Sequence, residues 1–411
     1  VIDEFNSIFQ KEVQIDNLFA KYEDHFKLID LFNSVFGENI DNLIHNDMKI
    51  LYNLGFIYFE GKYVARDINK AIHYCLLSAE RGYPNAQFLL GTLYLEGKHV
   101  KQDINCAIHY FTLASKQNHS KAQFNLGLIY EANEHVTRDI EKAIHYYSLA
   151  SDNNHAQAQF NLGLIYDEGY FVTQNIKEAL RYYLLAAKQN HPEAQLNLGL
   201  IYYEGKYVKM DFDKAFQYFT LAANQNNAQA HFNLGSFYFE GKYVSRDFDK
   251  ALYYFTSAAD LNHLSAQFNL GLFYSTGEHV KKDIAKAIHY FTLASDQNDV
   301  QAQFNLGIIY YKGEDVPRDI DKAIHYFSLA ADQNYTNAQY SLGVIYYEGK
   351  YVPKDMKKAV QYFTQVKNNP PKSIDFSSFY ENEYEIEEGI NDIDESIQYL
   401  SLAENHKDIL D

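Results

Sequence analysis

Apolar and polar positions along this chain follow a helical pattern that restarts every 36 residues. In "PEAQLNLGLIYY" (192–203), Ala194, Leu198, Ile201 and Tyr202 fall at i, i+4, i+7 and i+8, one stripe of a helix. Later in each unit a second stripe appears, as in Ile104, Ala107, Phe111 and Ala114. The spacing therefore predicts two amphipathic helices per unit. Gly55, Gly91, Gly127, Gly163, Gly199, Gly235, Gly271, Gly307 and Gly343 mark the period without a slip, so nine units occupy residues 48–371. A fixed period of this length signifies a stack of repeats, each burying its core against its neighbours.

The punctuation agrees with that reading. Pro84 and Pro192 stand where a first helical turn tolerates proline. A second glycine in most units (Gly61, Gly97, Gly169, Gly205, Gly241, Gly277, Gly313, Gly349) fits a left-handed C-cap, and Asn133 takes that place in the third unit. Asp67, Asp103, Asp139, Asp211, Asp247, Asp283, Asp319 and Asp355 are predicted N-caps of the second helix. Asn175 replaces Asp in one unit and can form a capping box with Glu178. The first glycine of each unit lies inside a helix, at a cost of roughly 1 kcal/mol relative to alanine. A neighbouring helix passing too close for a Cβ would explain its recurrence.

In "NLGLIYYEGKYV" (197–208), the glycine followed by Gly-Lys superficially suggests a phosphate loop. Such a loop needs G-x4-G-K and then Ser or Thr, between a strand and a helix. Here the spacing is G-x5-G-K, the next residue is aromatic and the first glycine is helical. A nucleotide site is excluded on those grounds.

Composition changes the picture in three places. The formal charge of −18 resides mainly at the ends, with −6 in residues 1–50 and −10 in residues 371–411. The array is thus nearly neutral and has no basic face, which argues against nucleic acid or an anionic membrane as partner. Cys75 and Cys106 are too few for a disulfide framework or a four-ligand zinc site and are expected to be reduced. No apolar run reaches the ~20 residues of a membrane span. The sequence begins at Val1, so a segment upstream is an open expectation.

The unit A-Q-F-N-L-G-x-I-Y-x-E-G-K-x-V-x-x-D-I-x-K-A-I-x-Y-F-x-L-A-A resembles the Sel-one-like repeat family, relatives of the tetratricopeptide repeats. The Val-Pro-x-Asp loop variant also occurs, at Val316-Pro317 and Val352-Pro353. The resemblance implies an all-α fold: an α-α superhelix, or solenoid, of nine 36-residue helical hairpins plus a degenerate C-terminal capping unit. Residues 1–47 are expected to be a helical N-terminal cap or the end of an upstream domain. Residues 372–411, acidic and without the glycine signature, are expected to be the degenerate tenth repeat that caps the stack.

Function is expected to be that of a non-catalytic adaptor, binding an extended or helical segment of a partner protein in the concave groove. The candidate contacts are Asn125, Asn161, Asn197, Asn233, Asn269 and Asn305, each two residues before the first glycine, with Leu200, Tyr203 and Phe239 on the same face. In similar tetratricopeptide arrays the equivalent Asn often meets a peptide backbone, and an amide offers both donor and acceptor. The same ladder could instead tie repeats together, and both readings stand at this point. The position four after the glycine varies (Phe59, Leu95, Glu131, Asp167, Tyr203, Phe239, Ser275, Tyr311, Tyr347), as a surface individualised for a partner would, or as drift on a solvated face would.

No cofactor, metal or catalytic motif is expected. His73, His109, His145, His289 and His325 lie about 200° from the core stripe and should be exposed. His119, His155, His191 and His263, at the turns between units, should be solvated too. A penicillin-hydrolysing branch of the family carries cysteine pairs that this chain lacks. Sequons at Asn118 and Asn334 read as a by-product of abundant Asn. The expected molecule is a cytoplasmic monomer. The alternatives are the regulatory repeats of a larger enzyme, such as a kinase, or an adaptor in the lumen of the endoplasmic reticulum.

Overall fold

The computed structural model describes residues 48–61, 65–132, 136–205 and 207–368. Among them are eighteen α-helices and no strand. They are α1 (Met48–Glu60), α2 (Ile68–Glu80), α3 (Pro84–Glu96), α4 (Ile104–Ser115), α5 (Ser120–Ala132), α6 (Ile140–Asp152), α7 (Ala156–Glu168), α8 (Ile176–Lys188), α9 (Pro192–Glu204), α10 (Phe212–Ala223), α11 (Ala228–Glu240), α12 (Phe248–Asp260), α13 (Leu264–Thr276), α14 (Ile284–Asp296), α15 (Val300–Lys312), α16 (Ile320–Asp332), α17 (Thr336–Glu348) and α18 (Met356–Asn368). Odd-numbered helices are the first of each hairpin and even-numbered ones the second, an all-α solenoid of nine hairpins. By packing, the chain divides into two units, Val1–Leu198 and Gly199–Asp411, the division falling inside α9. The expected N-terminal cap, the expected tenth repeat and the Asn133 cap lie outside the described residues.

Every hairpin but the first closes on a glycine and an aromatic ring. A Cβ built on Gly199 would sit 2.5 Å from the ring carbons of Phe219, and on Gly307 2.5 Å from those of Phe327. The close approach predicted from the sequence is therefore made by one side chain of the second helix. Phe111, Tyr147, Tyr183, Phe219, Phe255, Phe291 and Phe327 fill this place and are almost fully buried. Burying such a ring is worth about 1.5–3 kcal/mol, more than the helix-propensity cost of the glycine beneath it. Cys75 occupies the place in the first hairpin, below Gly55.

The caps follow the sequence. The carboxylate of Asp211 accepts from Lys214 N at 3.0 Å, and the other described N-cap acids act alike. Asn175 Oδ1 accepts from Glu178 N, whereas the Glu178 carboxylate turns to Arg181 Nε instead of closing a capping box. First helices end on glycines such as Gly205, at φ 64°. Second helices end on Asn118, Asn154, Asn190, Asn226, Asn262, Asn298 and Asn334, all near φ +60°. Asn tolerates this left-handed conformation better than other side-chain-bearing residues. Two of these residues, Asn118 and Asn334, supply the sequons, so backbone geometry accounts for their presence.

A ladder of buried glutamines joins successive hairpins at all but one of the described joints. Gln159 Nε2 donates to Ser151 O at the end of α6, and Gln159 Oε1 accepts from Gln189 Nε2 at the end of α8. Gln87 with Gln117, Gln123 with Asn153, Gln267 with Gln297, and Gln303 with Gln333 repeat the arrangement. Between its two helices every hairpin stacks two tyrosines, from Tyr58–Tyr74 to Tyr346–Tyr362, with ring planes 2–12° apart.

Candidate functional site

The asparagines two residues before each hairpin glycine sit on the first helix and are half-buried. Their surroundings divide them. Asn161 Oδ1 accepts from Gln157 Nε2 at 3.0 Å, while its amide hydrogen-bonds the hydroxyl of Tyr147 from the preceding hairpin. That hydroxyl in turn donates to Glu131 Oε2 at 2.5 Å. In the next hairpin Asn197 meets Tyr183, whose hydroxyl donates to Asp167 Oδ2 at 3.1 Å. Burial, helped by the neighbouring carboxylate, holds both phenols far above their ordinary value, so they act as neutral donors.

Where the buried ring is Phe, this relay is absent. Asn233 accepts from Gln229 Nε2, but its own Nδ2 is buried without a partner, since Phe219 carries no hydroxyl. Asn305 turns its Nδ2 back to Gln301 O. Asn125 and Asn269 make no hydrogen bond to another described side chain or backbone group and keep part of their surface in solvent. The six asparagines are therefore not equivalent. Asn161 and Asn197 tie repeats together, and Asn125 and Asn269 hold free amides.

The variable position four after the glycine is also explained in part. Its only acids, Glu131 and Asp167, occur where the buried ring twenty residues after the glycine is Tyr instead of Phe. A buried phenol needs an acceptor, and the acid supplies it. The signal was present in the sequence as a paired change in two neighbouring units. Tyr203 packs edge-on to Phe212 and Tyr243 and lies 5.6 Å from Phe237. Phe239 lies among Phe248, Phe255, Phe273 and His279. Both therefore serve contacts between adjacent hairpins. Leu200 is half-buried beside the ladder, and at the equivalent position Leu128 is 40% exposed.

The turn histidines differ from expectation. His119, His155, His191 and His263 are half-buried, each stacked on a phenylalanine: Phe88, Phe124, Phe160 and Phe232, with centroids 4.6–4.7 Å apart. Each Nδ1 accepts from the backbone N–H three residues on, capping α5, α7, α9 or α13. They are not solvated because imidazole serves here as a capping acceptor while its ring packs on the preceding hairpin. Burial lowers all four below the ordinary histidine value, so the neutral form is favoured. His73, His109, His145, His289 and His325 are exposed as expected.

Among the described residues no group of three or more His, Cys, Asp or Glu is placed to hold a metal ion. Cys75 is buried, which pushes its thiol up to about 12, and Cys106 is unpaired. No described helix is long and apolar enough to cross a membrane.

The Sel1 repeat model matches nine times in succession, at residues 51–83, 84–119, 120–155, 156–191, 192–227, 228–263, 264–299, 300–335 and 336–365. No curated protein matches the chain. Among solved structures it is similar to c5321, a protective antigen of uropathogenic Escherichia coli strains displaying an SLR fold. The identity is 29% over 84% of this chain and 72% of that one, with a TM-score of 0.67. It is also similar to a Sel1 repeat protein from Oxalobacter formigenes, at 31% identity over 75% of this chain and 91% of that one, with a TM-score of 0.63. Such repeats form scaffolds typical of protein–protein interaction, and the superfamily is generally non-catalytic. With nine consecutive matched repeats and the hairpins to go with them, the chain belongs to the Sel1 repeat family.

Proposed function

We propose that this protein is a non-catalytic adaptor whose first-helix face binds an extended segment of a partner protein. The supporting observation is that single first helices place an asparagine amide with no partner among the described residues next to a partly exposed apolar side chain. Asn125 lies beside Leu128, and Asn269 beside Leu272. An amide can pair with the N–H and C=O of a passing backbone, while the apolar neighbour takes a side chain. Tyr203 and Phe239 support neighbouring hairpins in this reading and are not contacts of the partner. The near-neutral array carries no field to select nucleic acid.

Site-specific photo-crosslinking tests the assignment. A photoreactive phenylalanine in place of Leu128 should capture protein from native extract, whereas one in place of the exposed second-helix His109 should not. Equal capture at both positions would contradict a face-specific site.

A further inference from the structure

The glutamine ladder has one irregular rung. In seven described repeats the rung is Gln (Gln87, Gln123, Gln159, Gln195, Gln267, Gln303, Gln339), but in the sixth it is His231, 9% exposed. Its ring hydrogen-bonds Ala223 O at the end of α10, as a rung Gln would. The other half of the rung is lost. Thirty residues on, where other repeats place a Gln or Asn whose amide reaches the rung, stands Leu261. His231 Nδ1 is consequently buried and has no partner.

A neutral imidazole fits this place: Nε2–H donates to Ala223 O and Nδ1 is a bare acceptor. A second proton would put a charged donor on Nδ1 where no acceptor waits, at the full desolvation cost of an unpaired buried charge. The titratable side chain packed against it from α12 is Tyr254, at 5.9 Å between ring centroids, and α10 presents the backbone carbonyl of Ala223. His263, the cap of α13, reaches the same helix through Phe232. The acidic groups of these helices are ion-paired or exposed: Asp211 pairs with Lys214 and Asp247 with Lys250, and Asp213, Glu240, Asp249 and Asp260 are exposed. Among the described residues no carboxylate pairs with His231 to stabilise an imidazolium.

We infer that the joint between the fifth and sixth hairpins is a proton-sensitive opening point of the array, closed by neutral His231 and loosened when His231 takes a second proton. Burial already lowers the proton affinity of this imidazole. Opening exposes the ring, and the open state takes up the proton that the closed state refuses. The device is separate from the binding face and does not depend on the proposed function.

The test is hydrogen exchange of the backbone amides of α11, corrected for intrinsic rate, between pH 7.5 and pH 5. It compares the wild type with His231→Gln/Leu261→Gln, which rebuilds the rung. In the wild type the opening constant of α11 should rise by up to about tenfold per pH unit as one proton is taken up. In the double variant that rise should shrink to what His263 alone contributes. Helix α15, with Asp299 as cap and Gln303 as rung, provides a reference with no histidine at either place. An α11 that opens no more steeply with acid than α15, or a double variant with the wild-type slope, would overturn the inference. Should the double variant fold poorly, His231→Gln alone carries the same comparison, since Gln occupies this rung elsewhere.

Discussion

The hydroxyl of Tyr147 donates to the carboxylate of Glu131 within one hairpin, while the amide of Asn161 reaches the same hydroxyl from the next. A residue that could have belonged to a ligand-binding ladder is thereby engaged in joining repeats. If so, Glu131→Leu alone should cost about 1–3 kcal/mol, because it leaves a buried phenol without an acceptor. Adding Tyr147→Phe should recover most of that loss, since Leu with Phe is the pairing the second repeat already uses in Leu95 and Phe111. Denaturant unfolding of the two single variants and the double variant forms the cycle. Additive costs would show that the two side chains are not coupled.

Glycine at the hairpin contact carries a prediction of sign. By helix propensity Gly199→Ala should stabilise by roughly 1 kcal/mol. With a Cβ only 2.5 Å from the Phe219 ring, it should instead destabilise by about 1–3 kcal/mol through overpacking. A raised melting temperature for Gly199→Ala would refute the close approach.

The left-handed asparagines allow a paired test. At Asn190, φ 61°, replacement by Ala should cost about 1–2 kcal/mol, and replacement by Gly should cost little. Thermal melts of the two variants, read side by side, decide it. Equal losses would mean that the side chain, not the backbone conformation, matters there.

Stability should depend on pH through the capping histidines. In the folded protein His119, His155, His191 and His263 titrate below the ordinary 6.5 because burial disfavours the charged ring. As pH falls, the unfolded chain therefore binds these protons first. Their contribution is full above about 6.5 and is lost as pH falls through the lower folded values. Denaturant midpoints should drop between pH 7 and pH 5, and His263→Asn, which keeps a cap like Asn227, should reduce the drop. A midpoint that is flat over this range would contradict neutral capping.

Most of the fold could be read from the sequence because a nine-fold repetition averages out local ambiguity. The period, the caps at Asp211 and its equivalents, and the closeness at Gly199 each recur with one physical cause. What escaped was interaction specific to single repeats. Tyr147 with Glu131 is a pair that helical periodicity does not register, and the paired change of a rung at His231 and Leu261, which keeps only the bond to Ala223 O, is another. The turn histidines escaped for a different reason: a Phe one hairpin earlier provides the stacking surface, and only the fold brings the two together. The site was legible as a face but not as individual roles, since Asn125 and Asn161 look alike until the ring behind each is known.

The division of the asparagines is what the adaptor reading depends on, and one comparison tests it most directly. Wild type, Asn125→Ala/Asn269→Ala and Asn161→Ala/Asn197→Ala would each be assayed for capture of partner protein from native extract, beside their melting temperatures. The first variant should lose partners at an unchanged melting temperature, while the second should lose stability. Unchanged capture by the first variant, at wild-type stability, would contradict the free amides as the binding groups and with them the proposed site.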